Sequence, residues 1–398
     1  MASSRKSKAL YIDSQAVSAL CLAKAGLLSP VESLMTEKES QSLMASNALE
    51  TKEFPFPFLL TPSGKRNIEV LQESKKGDCL DLFCDGEPVG SICIDEIFEI
   101  NISERLKQIY GTDNLTHPGV EATAARLGPY SVSGEYNINL TSIKSNIERI
   151  NEAREHISAQ HTTAIMIAAN PLHRGHEKII RQSLEDTDLV VLFLLQPFND
   201  EAAGLDYKIR YDVLHEFVSN YLPKNRVIIV PFEINYLFAG FNEIILDSIV
   251  AKNYGCDRLI IGNNHAGIGM YYDHNMNKSI VDTLKEIKID VEIVSEFVYC
   301  NTCKTLVSIK TCPHGQHHHI SYHSESILEL MKTGLLPPAV LMRKELSSMV
   351  LAHIFPDRFK NLEKLYYDIM PNVGILEDHN DKDFYLELMN LYQTTSLT

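Results

Sequence analysis

His173-Arg174-Gly175-His176 sets two imidazoles three positions apart, with a cation and a residue lacking a side chain between them. Imidazole donates a hydrogen bond to a phosphate oxygen whether neutral or protonated, so a close pair suits a polyphosphate. Upstream, Thr162 to Ala168 is a short apolar run with β-branched residues, the pattern of a buried strand. Asn170-Pro171 ends it, because a residue before proline is pushed away from helical angles. Downstream, Ile179, Ile180 and Leu184 fall on one face of a helix. The imidazoles therefore belong where a strand hands over to a helix. Free backbone N–H groups and the positive end of the helix dipole gather at such places, and phosphates bind there. The plainer alternative has one histidine capping the helix and the other packing against the sheet.

Two further stretches carry chemistry. Cys300-Asn-Thr-Cys303 followed by Cys312-Pro-His314 supplies three thiolates and an imidazole. The two-residue gap lets both sulfurs of a knuckle reach one tetrahedral ion at about 2.3 Å. His314 is the expected fourth ligand, with His317 close behind, while His317 to His319 alternatively form a surface tract. Zinc in a structural role is the expectation, since four protein ligands leave no open position. The second stretch, Gly262-Asn-Asn-His-Ala-Gly-Ile-Gly269, is a glycine-rich loop after an expected strand at 258–262.

The elements that must position these residues follow from the rest of the chain. At 398 residues it is too long for one ordinary core. The expected division is 1–160, 161–300 and 301–398. A hydrophobic fraction of 44% with 22% charged residues is that of a globular protein. The net charge of −15 argues against a broad nucleic-acid or anionic-membrane surface, though not against a small basic pocket. Leu189 to Leu195 is the longest apolar run, far short of the roughly 20 residues that span a bilayer. No signal-peptide core follows the basic first residues, so a cytoplasmic location is expected.

Residues 1–160 read as α+β with a small β-barrel-like core: alternating runs at Cys79–Cys84 and Val89–Ile94 flank the turn signal Asp85-Gly86. A helix is expected near 15–24, a shaped loop at Tyr110–Val120, and a solvated joining helix over 141–160. From 162 to 300 strands are expected at 162–168, 189–197, 227–232, 258–262 and 290–299. Helices are expected between them at 175–185, 206–220, 240–254 and 277–288. That alternation predicts a doubly wound parallel sheet, which binds ligands beyond the carboxyl ends of its strands. A helix near 324–333 and a mostly helical tail complete the chain.

Taken together these residues resemble the ATP sulfurylase (sulfate adenylyltransferase) family. The likeness runs through Gly26-Leu-Leu-Ser-Pro30, Tyr110-Gly-Thr-Asp113, His117-Pro-Gly-Val120, Asn170-Pro-Leu-His-Arg-Gly-His-Glu177, Lys252-Asn-Tyr-Gly-Cys256, Gly262-Asn-Asn-His-Ala-Gly267, Cys312-Pro-His-Gly315 and Gly334–Pro338 with Leu341-Met-Arg343. It implies a PUA-like α+β N-terminal domain, an α/β nucleotidyltransferase domain and a small zinc-knuckle and helical C-terminal region. It further implies a homo-oligomer that transfers AMP from magnesium-bound ATP to an oxyanion acceptor, with neither nucleic acid nor membrane as partner. By the same resemblance His173 and His176 would bind and neutralise the phosphates, and Asn170 would orient them. Asn170, Leu172, His173 and His176 with Gly262, His265, Ala266 and Gly267 would form the ATP site.

The chain departs from the family on the acceptor side. Where the family has Gln-x-Arg-Asn, this chain has Ile167-Ala-Ala-Asn170, and Asn263 replaces a further arginine. Ile167, Ala169 and Asn263 thus line the expected acceptor pocket. Arg174, Lys178, Lys208 and Arg210 are the candidates to restore the lost charge. The later Ser-Gly-Thr signature is not recognisable at Ser321–Ser326. Three readings follow: sulfate as acceptor by family default, a different acid such as a phosphonate, sulfonate or carboxylate, or a nucleotide-binding homologue without catalysis.

Overall fold

A computed structural model describes residues 8–45, 54–196, 204–262 except 234, 236, 238, 239 and 241, 287–370 and 379–393. Among them the chain forms two compact units, one of residues 1–166 and 231–293, the other of 167–230 and 294–398.

The first unit opens with β1 (Ala9–Tyr11), α1 (Ser14–Lys24), α2 (Glu37–Ala45), β2 (Leu60–Pro62) and α3 (Lys65–Glu73). Then follow β3 (Cys79–Cys84), β4 (Glu87–Glu99), α4 (Ile102–Tyr110), α5 (Pro118–Ala124), β5 (Leu127–Ile138), α6 (Thr141–His156) and β6 (Thr162–Ile167). Strands β1 to β5 make one sheet in the order β1-β3-β4-β5-β2. The β3–β4 turn is the expected Asp85-Gly86, both residues with positive φ, the backbone a two-residue hairpin needs. Cys79 and Cys93, opposite each other in that hairpin, form a disulfide. Edge strand β1 is finished by a side chain: the buried Asn67 amide accepts from the Tyr11 N–H at 2.8 Å and donates to the Tyr11 carbonyl at 2.7 Å. The Tyr110–Val120 stretch holds a helix start, where His117 Nδ1 accepts from the Gly119 N–H and Pro118 takes the first position.

The chain continues with α7 (Arg174–Ser183), β7 (Leu189–Gln196), α8 (Tyr207–Tyr221), β8 (Val227–Glu233), α9 (Asn242–Asn253), β9 (Arg258–Gly262) and β10 (Asp290–Val294). In the first unit β9 lies between β10 and β6, and β6 and β9 run parallel, Ala164 opposite Leu259. In the second unit β7 lies beside β8. Leu189 to Leu194 are wholly buried, the near-continuous apolar run of a strand covered on both faces. The result is the expected α/β architecture with parallel strands. Of the helix expected at 277–288, residues up to 286 lie outside the described residues.

The expected strand at 290–299 is two strands. After β10, Ser295-Glu296 interrupt the run, and β11 (Phe297–Cys300) pairs antiparallel with β12 (Thr305–Ser308) and β13 (His319–Ile320). The second segment therefore belongs to a small sheet around the cysteines. Helices α10 (Ser324–Lys332), α11 (Lys344–Ile354), α12 (Leu362–Ile369) and α13 (Asp381–Gln393) follow. No helix among the described residues is long and apolar enough to cross a membrane.

Candidate active site

The turn from β6 to α7 is built by its own sequence. Ala169 has φ +48°, Asn170-Pro171 is cis, and Leu172 is fully enclosed. His173 is the helix N-cap. Its Nδ1 accepts from the Gly175 N–H at 3.1 Å, and His176 Nδ1 accepts from the His173 N–H at 3.3 Å. This is a capping box in which imidazoles occupy both the cap and the third helical position. Gly175 gives the ring room over the first turn: a Cβ there would sit 2.9 Å from His173 Cε1, and the ring would have to shift.

Because both Nδ1 atoms accept, each neutral ring carries its proton on Nε2. The rings lie 3.9 Å apart between centroids, tilted by 33°. Two charges at that separation would repel, and the surroundings also favour the neutral form. Burial pushes the His176 imidazole down to about 4. Burial, then repulsion from His176 and His323, holds His173 well below the usual imidazole range. Tyr322 packs edge-on against His173. The capping and phosphate-donor readings are thus compatible on one ring: Nδ1 caps, and Nε2–H is left for a ligand. The helix start is not the open crown of N–H groups expected from sequence. The Arg174 N–H is bonded to the Leu341 carbonyl and the Gly175 N–H to His173.

The Asn170 Oδ1 accepts from the Leu205 N–H at 2.8 Å, so the amide is oriented with its Nδ2 as the remaining donor. Gly204 makes room for that amide; a Cβ there would collide with Nδ2. Ile167 and Ala169 are buried, at 4% and 1% exposure, and offer only apolar surface. Gly262 is exposed at the end of β9, whereas Asn263, His265, Ala266 and Gly267 lie outside the described residues.

The four cations offered as replacements are all engaged. Arg174 bonds Glu177 and the Ala339 carbonyl, Lys178 the Leu306 carbonyl, and Lys208 pairs with Asp212. Buried Arg210 donates from Nη1 to the carbonyls of Ala168, at 2.8 Å, and Leu195. Of the four, it is the one that meets the 168–170 turn.

A residue not singled out from the sequence is central here. Glu177, 3% exposed, accepts from Arg343 Nε at 2.9 Å on both carboxylate oxygens and from Arg174 Nη1 at 3.1 Å. The Arg343 guanidinium also lies 3.9 Å above the Tyr221 ring. The first turn of α7 is thereby clamped to the segment that begins α11.

In the small sheet, Cys300, Cys303, Cys312 and His314 come together with their ligand atoms within 4.8 Å of one another. The sulfur of Cys303 is 3.9 Å from that of Cys312, and His314 Nδ1 is 3.5, 3.3 and 3.5 Å from Cys300, Cys303 and Cys312. A tetrahedral zinc sets sulfur–sulfur edges of about 3.8 Å and sulfur–nitrogen edges of about 3.5 Å. The donor set fits that ion.

The ATP-sulfurylase family model matches residues 143–353 and a PUA-like domain model matches 1–140. The sulfate adenylyltransferase of Chloroflexus aurantiacus is 29% identical over 359 residues, 86% of this chain and 90% of that protein. That of Carboxydothermus hydrogenoformans is 26% identical over 358 residues, with the same coverage. Among solved structures, the hexameric APS kinase from Thiobacillus denitrificans shares the fold at a TM-score of 0.62 and 16% identity. That match covers 87% of this chain and 62% of the other.

Proposed function

Because the chain belongs to the ATP-sulfurylase family and is a nucleotidyltransferase of that kind, we propose that it transfers AMP from ATP to sulfate, releasing pyrophosphate. An acceptor oxygen attacks the α-phosphorus in line, and the bond to the α–β bridging oxygen breaks as the pyrophosphate leaves. The observation that carries this reading is the close imidazole pair with both Nδ1 atoms occupied by backbone N–H groups. The two Nε2–H donors then bind phosphate oxygens without carrying charge. They strengthen as negative charge builds on the leaving group, and their positions are fixed before the reaction. Asn170 Nδ2 adds a third donor. In this reading magnesium enters as the metal complex of ATP.

On the acceptor side, Arg210 sets a guanidinium against the Ala168 carbonyl, one residue from the vacated arginine position. It is our candidate to hold the acceptor's charge, with Ile167 and Ala169 as the apolar wall. That apolar wall favours the second reading, an acid with an apolar part in place of sulfate. The cysteine cluster holds structural zinc, and its four ligands keep the knuckle closed.

ATP–pyrophosphate exchange tests the reading. Exchange dependent on sulfate is expected. Exchange dependent only on an organic sulfonate, phosphonate or carboxylate would replace sulfate as acceptor. ATP binding without exchange with any acid would overturn the catalytic assignment.

A further inference from the structure

Helix α7 presents a second polar face. Arg174, Lys178 and Arg181 recur at helical spacing on one side of it, nearly half a turn round the helix from His176. With Arg343 they line a cleft of about 330 Å³ whose far wall includes Leu306. Four cations meet a single carboxylate there, that of Glu177, already shared between Arg174 and Arg343. In a chain of net charge −15 such a concentration of positive charge stands apart.

The donors are only partly used. Arg174 spends Nε on the Ala339 carbonyl and one Nη1 bond on Glu177. Lys178 gives one bond to the Leu306 carbonyl, and Arg181 one to the Tyr221 carbonyl. A guanidinium has five N–H donors and an ammonium three, so most of this capacity is left for a ligand. The volume is at the small end of ligand pockets. Guanidinium groups match paired oxyanion geometry better than a point charge does.

We propose that this cleft is a second oxyanion site, taking a diphosphate group and distinct from the imidazole pair. Its position gives it a route to the first site, since Arg174 and Glu177 flank His176 in sequence and clamp the same helical turn. A ligand that draws Arg174 away from Glu177 loosens the clamp that fixes the imidazoles.

Titration calorimetry of the full chain with inorganic pyrophosphate tests this in the His176→Ala background, where the imidazole site is disabled. Binding is expected to persist there and to weaken at least tenfold when Lys178→Ala and Arg181→Ala are added. Both side chains are exposed, and an unchanged melting temperature verifies the fold; Arg181→Glu should give the same loss. ADP displacing pyrophosphate would identify nucleotide phosphates as the source of the group, and failure to displace it a free diphosphate; either supports the site. No binding in the His176→Ala chain, or equal binding with and without the two lysine and arginine changes, would overturn it. The reading of the imidazole pair as the ATP site is tested separately, by exchange in the otherwise unaltered chain.

Discussion

At the scale of the residue, each imidazole does two jobs with two nitrogens, and substitution can part them. Asn at position 176 keeps an acceptor near the Nδ1 position but has nothing at Nε2. His176→Asn should therefore abolish pyrophosphate exchange while shifting unfolding free energy by less than about 0.5 kcal/mol, whereas His176→Ala should also lose about 1 kcal/mol of cap. Urea melts beside exchange assays read both quantities. The depressed His176 and His173 values give a pH signature. With His176 at about 4 that ring stays a neutral Nε2–H donor from pH 8 down to about pH 5, and His173 is shifted in the same direction, so kcat/KM for ATP should not fall through the usual imidazole range near 6.5. Stability behaves differently. The unfolded imidazoles take up protons below about pH 6.5 and the folded ones do not. His176 therefore lowers stability as pH falls from 6.5 towards 4, by at most about 1.4 kcal/mol per pH unit, and His173 acts in the same direction. Melts at pH 7.5 and 5 compare the two states. Histidine-to-glutamine controls at 173 and 176 that left this slope unchanged would contradict the assignment. The position of the pair was legible in the sequence, because the switch from an apolar run to helical spacing is local. The tautomers were not, since they depend on which N–H each ring caps.

At the scale of the element, α7 is held by contacts that come from far along the chain. Glu177 and Arg343 are 166 residues apart, and no local pattern announces their pairing. Leu341 and Ala339 likewise reach Arg174 from the segment before α11. Glu177→Ala leaves two guanidinium groups partly buried without their shared carboxylate, and should cost about 3–5 kcal/mol in a urea melt. The knuckle presents the reverse case: its ligand spacing was plain in the sequence, while its sheet was not. The run to Tyr299 reads as one strand until the pairing of Cys300 with Thr305 shows that its second half serves the cysteines. Elemental analysis should find zinc near one ion per chain. Cys303→Ser should lower both that ratio and the melting temperature, with exchange retained below the new transition. Full zinc content and an unchanged melting temperature in this variant would exclude the ligand role.

At the scale of the molecule, the order of strands and helices from 162 to 262 followed from periodicity, because each βα step writes its own change of pattern. The acceptor could not be read the same way. Its pocket was described by what the sequence lacks, and Arg210 reaches the turn only through the fold, its guanidinium bonded to carbonyls of two different strand ends. The β1–β5 sheet was similarly half visible: the Asp85-Gly86 hairpin declared itself, but the parallel pairing of β1 with β3 links residues some 70 positions apart and carries no local mark. The way that sheet ends has a bearing on how the protein behaves in concentrated solution. One carboxamide, Asn67, stands where another polypeptide could otherwise dock, answering the outward donor and acceptor of Tyr11 as a neighbouring strand would. Asn67→Ala unseals that rim. Light scattering on warming should then register self-association rising with protein concentration, well before the imidazole turn is disturbed.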